Sequence, residues 1–347
     1  MMKSAPSFWW KSTPGLWSRL LAPVGFVYGT ITAWRMFQPH KARSKVPVIC
    51  IGNFVVGGTG KTPFSIKLAE LLIQHGKRPA FLLRGYGGTE RGPLLVDPEK
   101  HHAGQVGDEA LLLAGIAPTV ISADRVQGAA QLEKRGPDII LMDDGFQNPS
   151  LFKTLSIVLV DRHVGTGNGR CVPAGPLRAP LSRQILKADS LVVVGSPYSD
   201  AGAVSGTIGL ASKLGLRVFH AQLVPKSGPV LEGRYIAFAG IGRPQKFFAT
   251  LEERGVDVVE QIAFPDHHAF SAKDAGHLIT RSADTCARLI TTSKDMMRLR
   301  GMTGDAFRKL LECTDVFEVE MEIDAPEHLL QLIDQAAADS KSAGQKV

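Results

Sequence analysis

The stretch GNFVVGGTGKTP, residues 52–63, decides the fold of this chain. It follows the apolar run VPVICIG (46–52), which is typical of a buried strand, and it runs into TPFSIKLAELLIQHG (62–76), which is typical of a helix. A glycine-rich turn that ends in Gly-Lys-Thr between a strand and a helix is the pattern of a P-loop. Such a turn directs backbone N–H groups and the helix dipole at phosphate oxygens. The stretch therefore predicts a nucleotide-binding site.

Six residues of this stretch are predicted to contact the nucleotide: Gly57, Gly58, Thr59, Gly60, Lys61 and Thr62. Lys61 is expected to reach the β- and γ-phosphates of ATP, and the hydroxyl of Thr62 is expected to bind Mg²⁺. Val55 stands where the strict pattern has its first glycine. The alternative is a glycine-rich turn in which Gly-Lys-Thr occurs by chance.

The run PDIILMDDGFQ (137–147) is the most apolar of the predicted strands, and it ends in Asp143 and Asp144. An apolar strand that delivers acids to the nucleotide end of a sheet is the pattern of a Walker B strand. One of the two acids is expected to hold the metal, directly or through water. A helix cap at Asp144 is the alternative.

Two further segments carry candidate catalytic groups. QVGDEALLLA (105–114) places Asp108 and Glu109 after a glycine, and FPDHHAF (264–270) places Asp266 and His267 on a predicted loop. Phosphoryl transfer to an alcohol needs a carboxylate within hydrogen-bond distance of the hydroxyl. Glu109 is predicted as a further metal-binding acid. Helix capping explains the first pair equally well, and a structural histidine is the alternative for the second.

Three arginines lie near the predicted ends of strands: Arg84, Arg125 and Arg178. Ligands of open α/β sheets bind at the carboxyl ends of the strands, where arginines are well placed to meet phosphate groups. We therefore predict that these three residues contact the substrate, and surface arginines in solvent are the alternative.

Length and strand–helix alternation predict the domain organisation. A chain of 347 residues exceeds what one core usually organises, and short apolar runs alternate with helical segments from residue 46 onward. Composition shifts within 200–232, where we expect a domain junction. We predict an α/β fold with an N-terminal membrane-associated helix at 1–45, a P-loop domain with a parallel sheet at 46–215, and a smaller α/β domain at 216–347 that closes over the site.

The N-terminal segment carries an uncharged apolar run from Leu20 to Trp34. This run of 15 residues is shorter than the roughly 20 that a spanning helix needs. Tryptophans and basic residues flank it: Trp9, Trp10, Trp17, Trp34, Lys3, Lys11, Arg19, Arg35, Lys41, Arg43 and Lys45. Such flanks favour a helix that lies in an anionic membrane surface. A buried helix that packs on the next domain is the alternative.

Charge limits the possible partners of the chain, and the cysteines limit its possible covalent and metal sites. The net charge of +7 indicates an anionic partner. The basic residues are dispersed and mostly lack aromatic interleaving, so nucleic acid is not expected. The four cysteines, Cys50, Cys171, Cys286 and Cys313, form no C-x-x-C pair. This spacing argues against a disulfide framework or a structural zinc site and is typical of a cytosolic protein.

Taken in order, eight motifs resemble those of one family, the tetraacyldisaccharide 4′-kinases. They extend from about Val46 to Asp295 and are GNFVVGGTGKTP, RGYGG, VGDE, DDGFQ, GNGRCVPAGPLR, FAGIGRP, FPDHHAF and TTSKD. The resemblance implies transfer of the γ-phosphate of ATP, with Mg²⁺, to the 4′-hydroxyl of an acylated disaccharide 1-phosphate, which gives lipid IVA. It also implies a peripheral position on the cytoplasmic face of the inner membrane.

The resemblance further implies a role for each matching residue. Asp108 matches the catalytic base, His267 its partner, and Asp266 the residue that orients His267. Asp143 and Asp144 match the metal-binding acids, and Arg178 and Arg125 match residues that hold phosphates. Two alternatives remain from the residues alone. The first is a P-loop switch ATPase, which shares the Gly-Lys-Thr and Walker B patterns; the absence of a Cys/His metal cluster from this sequence argues against it. The second is a membrane-associated nucleic-acid-binding module that would use the positive charge.

Overall fold

The computed structural model describes residues 5–11, 13–227 and 231–344; Lys3 therefore lies outside the described residues. Its strands are β1 Val48–Asn53, β2 Pro79–Leu83, β3 Leu94–Leu95, β4 Thr119–Ile121, β5 Ile139–Asp143, β6 Leu155–Asp161, β7 Ser190–Val194, β8 Arg217–Pro225, β9 Arg234–Ala239, β10 Asp257–Ala263, β11 Arg288–Thr292, β12 Thr314–Phe317 and β13 Val319–Ile323. Its α-helices are α1 Leu16–Leu20, α2 Ala22–Met36, α3 Lys61–Gln74, α4 Ala103–Val106, α5 Asp108–Ala114, α6 Arg125–Glu133, α7 Leu181–Gln184, α8 Gly202–Lys213, α9 Pro244–Glu253, α10 Ala272–Thr285, α11 Ser293–Arg300, α12 Asp305–Glu312 and α13 Pro326–Gly344. Short 3₁₀ turns occupy Ser7–Trp10 and Ile185–Lys187.

A large sheet with the strand order β13-β8-β7-β6-β1-β5-β2-β4-β3 organises most of the chain. Its pairs are parallel except for β13–β8 and β3–β4 at the two edges. The predicted P-loop strand β1 lies between β5 and β6, with Ile51 opposite Asp143. The predicted α/β fold with a parallel sheet is confirmed, and the predicted Walker B strand is the direct neighbour of the P-loop strand.

Burial explains why the central strands are so apolar. Every residue of β1, β5, β6 and β7 is buried, because helices cover both faces of a parallel sheet. One face packs against Phe64 and Leu68 of α3 and Ile333 of α13, and the other packs against Leu132 of α6 and Met36 of α2. The carboxyl ends of β1 and β5 are thereby held at one edge of a rigid layer.

A second, parallel sheet with the order β10-β9-β11-β12 forms the smaller unit. This unit is inserted between β8 and β13, which pair with each other in the large sheet. The predicted second domain at 216–347 is therefore wrong in its bounds, because β8, β13 and α13 belong to the large sheet and its core. A shift in composition marks a surface segment, but it does not show which sheet the following strand joins.

The N-terminal segment forms two helices rather than one. Pro23 lies in the first turn of α2, where its missing N–H costs no hydrogen bond, and α1 ends just before it. One face of α2 packs closely on the domain: a Cβ on Gly25 would lie 2.7 Å from the carbonyl oxygen of Cys171, and one on Gly29 would lie 2.6 Å from its Sγ. The other face is exposed. Among the described residues, none of the helices combines the length and apolarity needed to cross a membrane.

Candidate active site

The P-loop joins the end of β1 to the start of α3. Gly60 caps α3 in the left-handed conformation, with φ 82°, which a residue with a side chain rarely adopts. Lys61 and Thr62 form the first turn of the helix. The buried side chain of Asn53 donates hydrogen bonds to the carbonyl of Gly57 at 3.2 Å and to the hydroxyl of Thr59 at 3.3 Å. Asn53 therefore braces the loop.

Val55 takes the place of the first P-loop glycine without strain. Its φ is not positive, so a β-branched side chain is tolerated there. The side chain is buried, and the backbone forms an antiparallel bridge with Leu177. Val55, in place of the glycine, therefore connects the P-loop to the segment that carries Arg178.

The acids that follow β5 have different surroundings. Asp144 accepts a hydrogen bond from Arg178, whose Nη1 lies 3.0 Å from Oδ1, and it lies 3.6 Å from the Nζ of Lys61. Burial in the cleft wall raises the pKa of Asp144, but the charges of Lys61 and Arg178 outweigh that effect and hold it well below its usual range. Asp144 has a φ of 52°, a strained backbone for a non-glycine residue. It does not cap a helix.

Asp143 is the buried acid that lacks a partner. Neither of its carboxylate oxygens has a hydrogen-bond partner among the described residues, and burial together with the Glu109 charge raises its pKa. A buried carboxylate without hydrogen-bond partners is destabilising in the protein alone, and a bound cation would compensate its charge. The described residues contain no cluster of three or more His, Cys, Asp or Glu side chains that would hold a metal by itself. Mg²⁺ bound mainly through nucleotide phosphates and water needs no such cluster.

Asp108 and Glu109 occupy the first turn of α5. The N-cap of the helix is Gly107, so neither acid occupies the capping position, and Asp108 accepts the backbone N–H of Glu109 within the first turn. Glu109 accepts hydrogen bonds from the Thr62 hydroxyl at 3.2 Å and from the Lys294 amine at 2.6 Å. The Lys294 charge lowers the pKa of Glu109 against the effect of burial. Glu109 is therefore linked to Thr62, and metal binding by Glu109 stays a prediction.

His267 comes from the smaller unit and faces Asp108. Its Nδ1 lies 3.7 Å from Oδ2 of Asp108, and its Nε2 lies 3.9 Å from Oδ1 of Asp266. The edge of the ring meets Tyr86, with 5.4 Å between the ring centroids. His267 also has a φ of 55°. The predicted pair is brought together at distances slightly longer than a hydrogen bond, as is common before substrate binds.

The three predicted substrate arginines have different environments. Arg178 is engaged with Asp144, with Gln147 and with the carbonyl of Val55. Arg125 is almost fully buried; its Nη1 donates to the carbonyl of Ser122, and its Nε has no partner among the described residues. Arg84 is exposed beside it. Arg84 and Arg125 thus keep donors for an anion, whereas Arg178 already supports the P-loop. Substrate contact by these residues stays a prediction.

One cleft of about 1270 Å³ collects these groups. The P-loop lines it together with every other predicted site residue except Asp108, which lies just behind its wall: Arg84, Glu109, Arg125, Asp143, Asp144, Arg178, Asp266 and His267. Tyr28, Thr32 and Arg35 of α2 also line the cleft. The N-terminal helix therefore forms part of the same cavity.

Sequence reasoning missed three basic residues that the smaller unit brings to the site. Lys294 bonds Glu109, Arg298 bonds Asp108, and Arg243 bonds Asp161 at 3.0 Å and approaches the carbonyl of Gly58 at 3.5 Å. Helix α11 starts at Ser293 and carries both Lys294 and Arg298. The i, i+4 spacing of these two residues was the available signal, because it places two cations on one helical face.

A sequence profile of the family described as Tetraacyldisaccharide-1-P 4′-kinase matches residues 17–338. The chain belongs to this family. A tetraacyldisaccharide 4′-kinase of Methylorubrum extorquens (strain PA1) is 50% identical over 295 residues, which cover 85% of this chain and 89% of the relative. One from Allorhizobium ampelinum is 45% identical over 344 residues, which cover 97% of this chain and 98% of the relative.

The family assignment extends to three dimensions. A crystal structure of the LpxK protein of Aquifex aeolicus in complex with ATP matches with a TM-score of 0.71 at 28% identity, over 92% of this chain and 99% of that chain. The resemblance inferred from the motifs is confirmed, and this member of the tetraacyldisaccharide-1-P 4′-kinase family is a phosphotransferase. The P-loop cleft is its candidate active site.

In this kinase the unpartnered acid offers a stability test. Asp143→Asn is expected to raise the free energy of unfolding of the metal-free protein by about 1–2 kcal/mol, because a neutral amide replaces a buried carboxylate without partners. Urea denaturation at pH 8 with a chelator measures it. The matched variant Asp144→Asn should lower the stability, because it strips Lys61 and Arg178 of their partner. Equal destabilisation by both variants would contradict the assignment of Asp143 as the unsatisfied acid.

Proposed function

We propose that this chain transfers the γ-phosphoryl group of ATP to the 4′-hydroxyl of a tetraacyldisaccharide 1-phosphate and so makes lipid IVA, a lipid A precursor. The observation that carries the proposal is the convergence of the P-loop, the two Walker B acids and His267 at one cleft, with Asp108 just behind its wall and 3.7 Å from His267. Membership of the tetraacyldisaccharide-1-P 4′-kinase family supports the choice of acceptor.

Mg²⁺ fits the residues that surround Asp143. Thr62 and Asp143 would hold it, with Glu109 hydrogen-bonded to Thr62 and Asp144 beside Lys61 in support. Bound with ATP, Mg²⁺ neutralises phosphate charge. Bound Mg²⁺ would stabilise the ionised form of Asp143 most, because its carboxylate oxygens have no partner among the described residues and burial disfavours their charge.

The chemical step follows from the groups of the chain itself. Asp108 accepts the proton of the 4′-hydroxyl while that oxygen forms a bond to the γ-phosphorus, and the bond to the β-phosphate oxygen breaks to release ADP. Lys61 stabilises the negative charge that spreads over the phosphoryl oxygens. His267 lies beside Asp108 and closes the site from the smaller unit. Arg84 and Arg125 supply donors for phosphate groups of the bound molecules.

The exposed face of α1 and α2 supports a peripheral position on the cytoplasmic face of the inner membrane. Its large apolar side chains are exposed: Leu16, Trp17, Leu20, Val24, Phe26, Val27, Tyr28, Ile31 and Trp34. A contiguous apolar surface of this kind, flanked by basic residues, fits the boundary between headgroups and acyl chains. Tyr28 belongs both to this face and to the cleft, so acylated substrate would pass directly from the bilayer to the site.

This membrane contact gives a prediction. Phe26→Ser is expected to weaken binding to vesicles of phosphatidylethanolamine and phosphatidylglycerol by about 10- to 150-fold, since burial of one phenylalanine contributes about 1.5–3 kcal/mol. Phe26 is 75% exposed on α2, and Tyr198, 97% exposed on the loop that follows β7, provides the control variant Tyr198→Ser. Co-sedimentation with the vesicles measures both. Equal binding by Phe26→Ser and the unaltered chain would remove α2 from the membrane contact.

The activity is tested with γ-labelled ATP, Mg²⁺ and a detergent-dispersed lipid A disaccharide 1-phosphate. We expect label on the 4′ position of the lipid in a reaction that needs both Mg²⁺ and the lipid. Consumption of ATP without labelled lipid would refute the proposed acceptor and favour a switch ATPase.

A further inference from the structure

The side chain of Arg298 joins the smaller unit to the catalytic acid. Its Nε donates to Oδ2 of Asp108 at 3.0 Å, and its Nη2 contacts the same oxygen. Its Nη1 donates to the carbonyl of Gly240 and to Oδ1 of Asp295, both at 2.7 Å. The second N–H of Nη2 points at Nδ1 of His267, 3.4 Å away. All donors of the guanidinium are therefore directed at named acceptors, and the side chain is only 9% exposed.

The other end of this contact is itself fixed. Asp295 is fully buried and accepts hydrogen bonds from the Gly240 backbone N–H at 3.0 Å and from the Thr292 hydroxyl at 2.7 Å. Arg298 is thus anchored on the smaller unit before it reaches across to Asp108. Asp108 is 190 positions away in sequence. Its second oxygen accepts the Glu109 backbone N–H at 3.0 Å and has no other partner among the described residues.

We propose that Arg298 is a positioning residue of the phosphoryl transfer, which sets the orientation of the Asp108 carboxylate and of the His267 ring toward each other. This inference rests on the proposed kinase activity. An arginine cannot accept a hydrogen bond, so its contact with Nδ1 makes that nitrogen the acceptor and leaves the His267 proton on Nε2, facing Asp266. The planar guanidinium of Arg298 contacts two carboxylates and an imidazole at once, and the ammonium group of lysine cannot reproduce this geometry.

The placement of Asp108 matters because an error of about 1 Å in a reacting group costs roughly a hundredfold in rate. We therefore expect Arg298→Ala to lower kcat by about 30- to 100-fold and to leave the KM values for ATP and lipid within about threefold. Arg298→Lys should fall between, because it keeps the charge but loses the fork. Guanidinium ion should restore part of the activity of Arg298→Ala and none of that of Lys61→Ala.

A double-variant cycle separates positioning from mere attachment of the two units. If Arg298 acts through Asp108, then Arg298→Ala should cause little further loss in an Asp108→Asn background, whereas independent effects would multiply. Arg308→Ala is the matched control, because Arg308 is exposed and, within the part of the chain that the structure describes, pairs with Asp305 alone. Nitrogen NMR of labelled histidine adds a direct signal: the His267 tautomer should change in Arg298→Lys, which is expected to fold even where the alanine variant does not.

The outcomes are distinct. Normal kcat in Arg298→Lys, or a loss confined to KM, would overturn the positioning role, and so would full multiplication of effects in the double variant. An unaltered chain that labels no lipid would instead refute the proposed function.

Discussion

Lys61→Ala is expected to lower kcat by about a thousandfold and to change the KM for the lipid little. Lys61 is the first residue of α3, directly after the P-loop glycines, and its Nζ lies 3.6 Å from Oδ1 of Asp144. There it meets the charge that spreads over the transferred phosphoryl group, and removal of one such preorganised donor costs about 100- to 1,000-fold. Lys61 is predicted to contact the nucleotide rather than the lipid, so binding of the lipid should survive.

Label transfer from ATP to lipid at saturating lipid measures this effect. Lys77→Ala is the control, since Lys77 pairs with Asp334 outside the cleft. Correct folding of the variant is checked by its urea midpoint, which should drop only slightly, because Asp144 keeps Arg178 as a partner. Turnover of Lys61→Ala within tenfold of the unaltered chain would remove the P-loop from the chemistry.

Asp108→Asn is expected to lower kcat by about 100- to 10,000-fold, the range for loss of a general base. An amide cannot take the proton of the 4′-hydroxyl, although it has nearly the same shape as the carboxylate. Binding of ATP should persist, because the P-loop and the Walker B acids are untouched. The side chain is only 3% exposed in a contact with Arg298, so the asparagine variant is preferable to alanine, which would leave a cavity.

Single-turnover label transfer, with nucleotide binding measured separately by a fluorescent ATP analogue, tests this prediction. Asp305→Asn is a matched control, because Asp305 is also the first residue of a short helix, α12, but is exposed and pairs with Arg308 on the surface. Retained single-turnover rates in Asp108→Asn would exclude Asp108 as the base and would leave His267 as the next candidate.

The two predictions differ in how far the sequence alone could support them. The role of Lys61 follows from residues 52–63, since glycines at fixed spacing between a strand and a helix predict a phosphate-binding loop. The N-terminus of the helix then forms part of the phosphate site. Asp108 follows from the family resemblance, because two acids at the start of a helix are equally compatible with capping. Only the arrangement around Gly107 shows that neither acid occupies the capping position.

The domain bounds show a different limit. Strand β8 spans Arg217–Pro225, but its own sequence carries no information about which strands it pairs with. The pairing of β8 with β13, which lies about a hundred residues later, makes the smaller unit an insertion. Strand pairing at such separation is decided by which faces pack on the core, and α13 contributes Leu329 and Ile333 to that core.

By itself, the sequence determined the P-loop, the Walker B strand and the class of fold, because each depends on local backbone conformation and on the apolar period of neighbouring residues. It also determined the family, through the order of eight motifs. The tertiary structure alone decided that Arg298 meets Asp108, that Lys294 meets Glu109 and that Asp143 stays without a partner. These contacts join segments far apart in the chain, and they follow from how the two sheets pack, which no local spacing encodes.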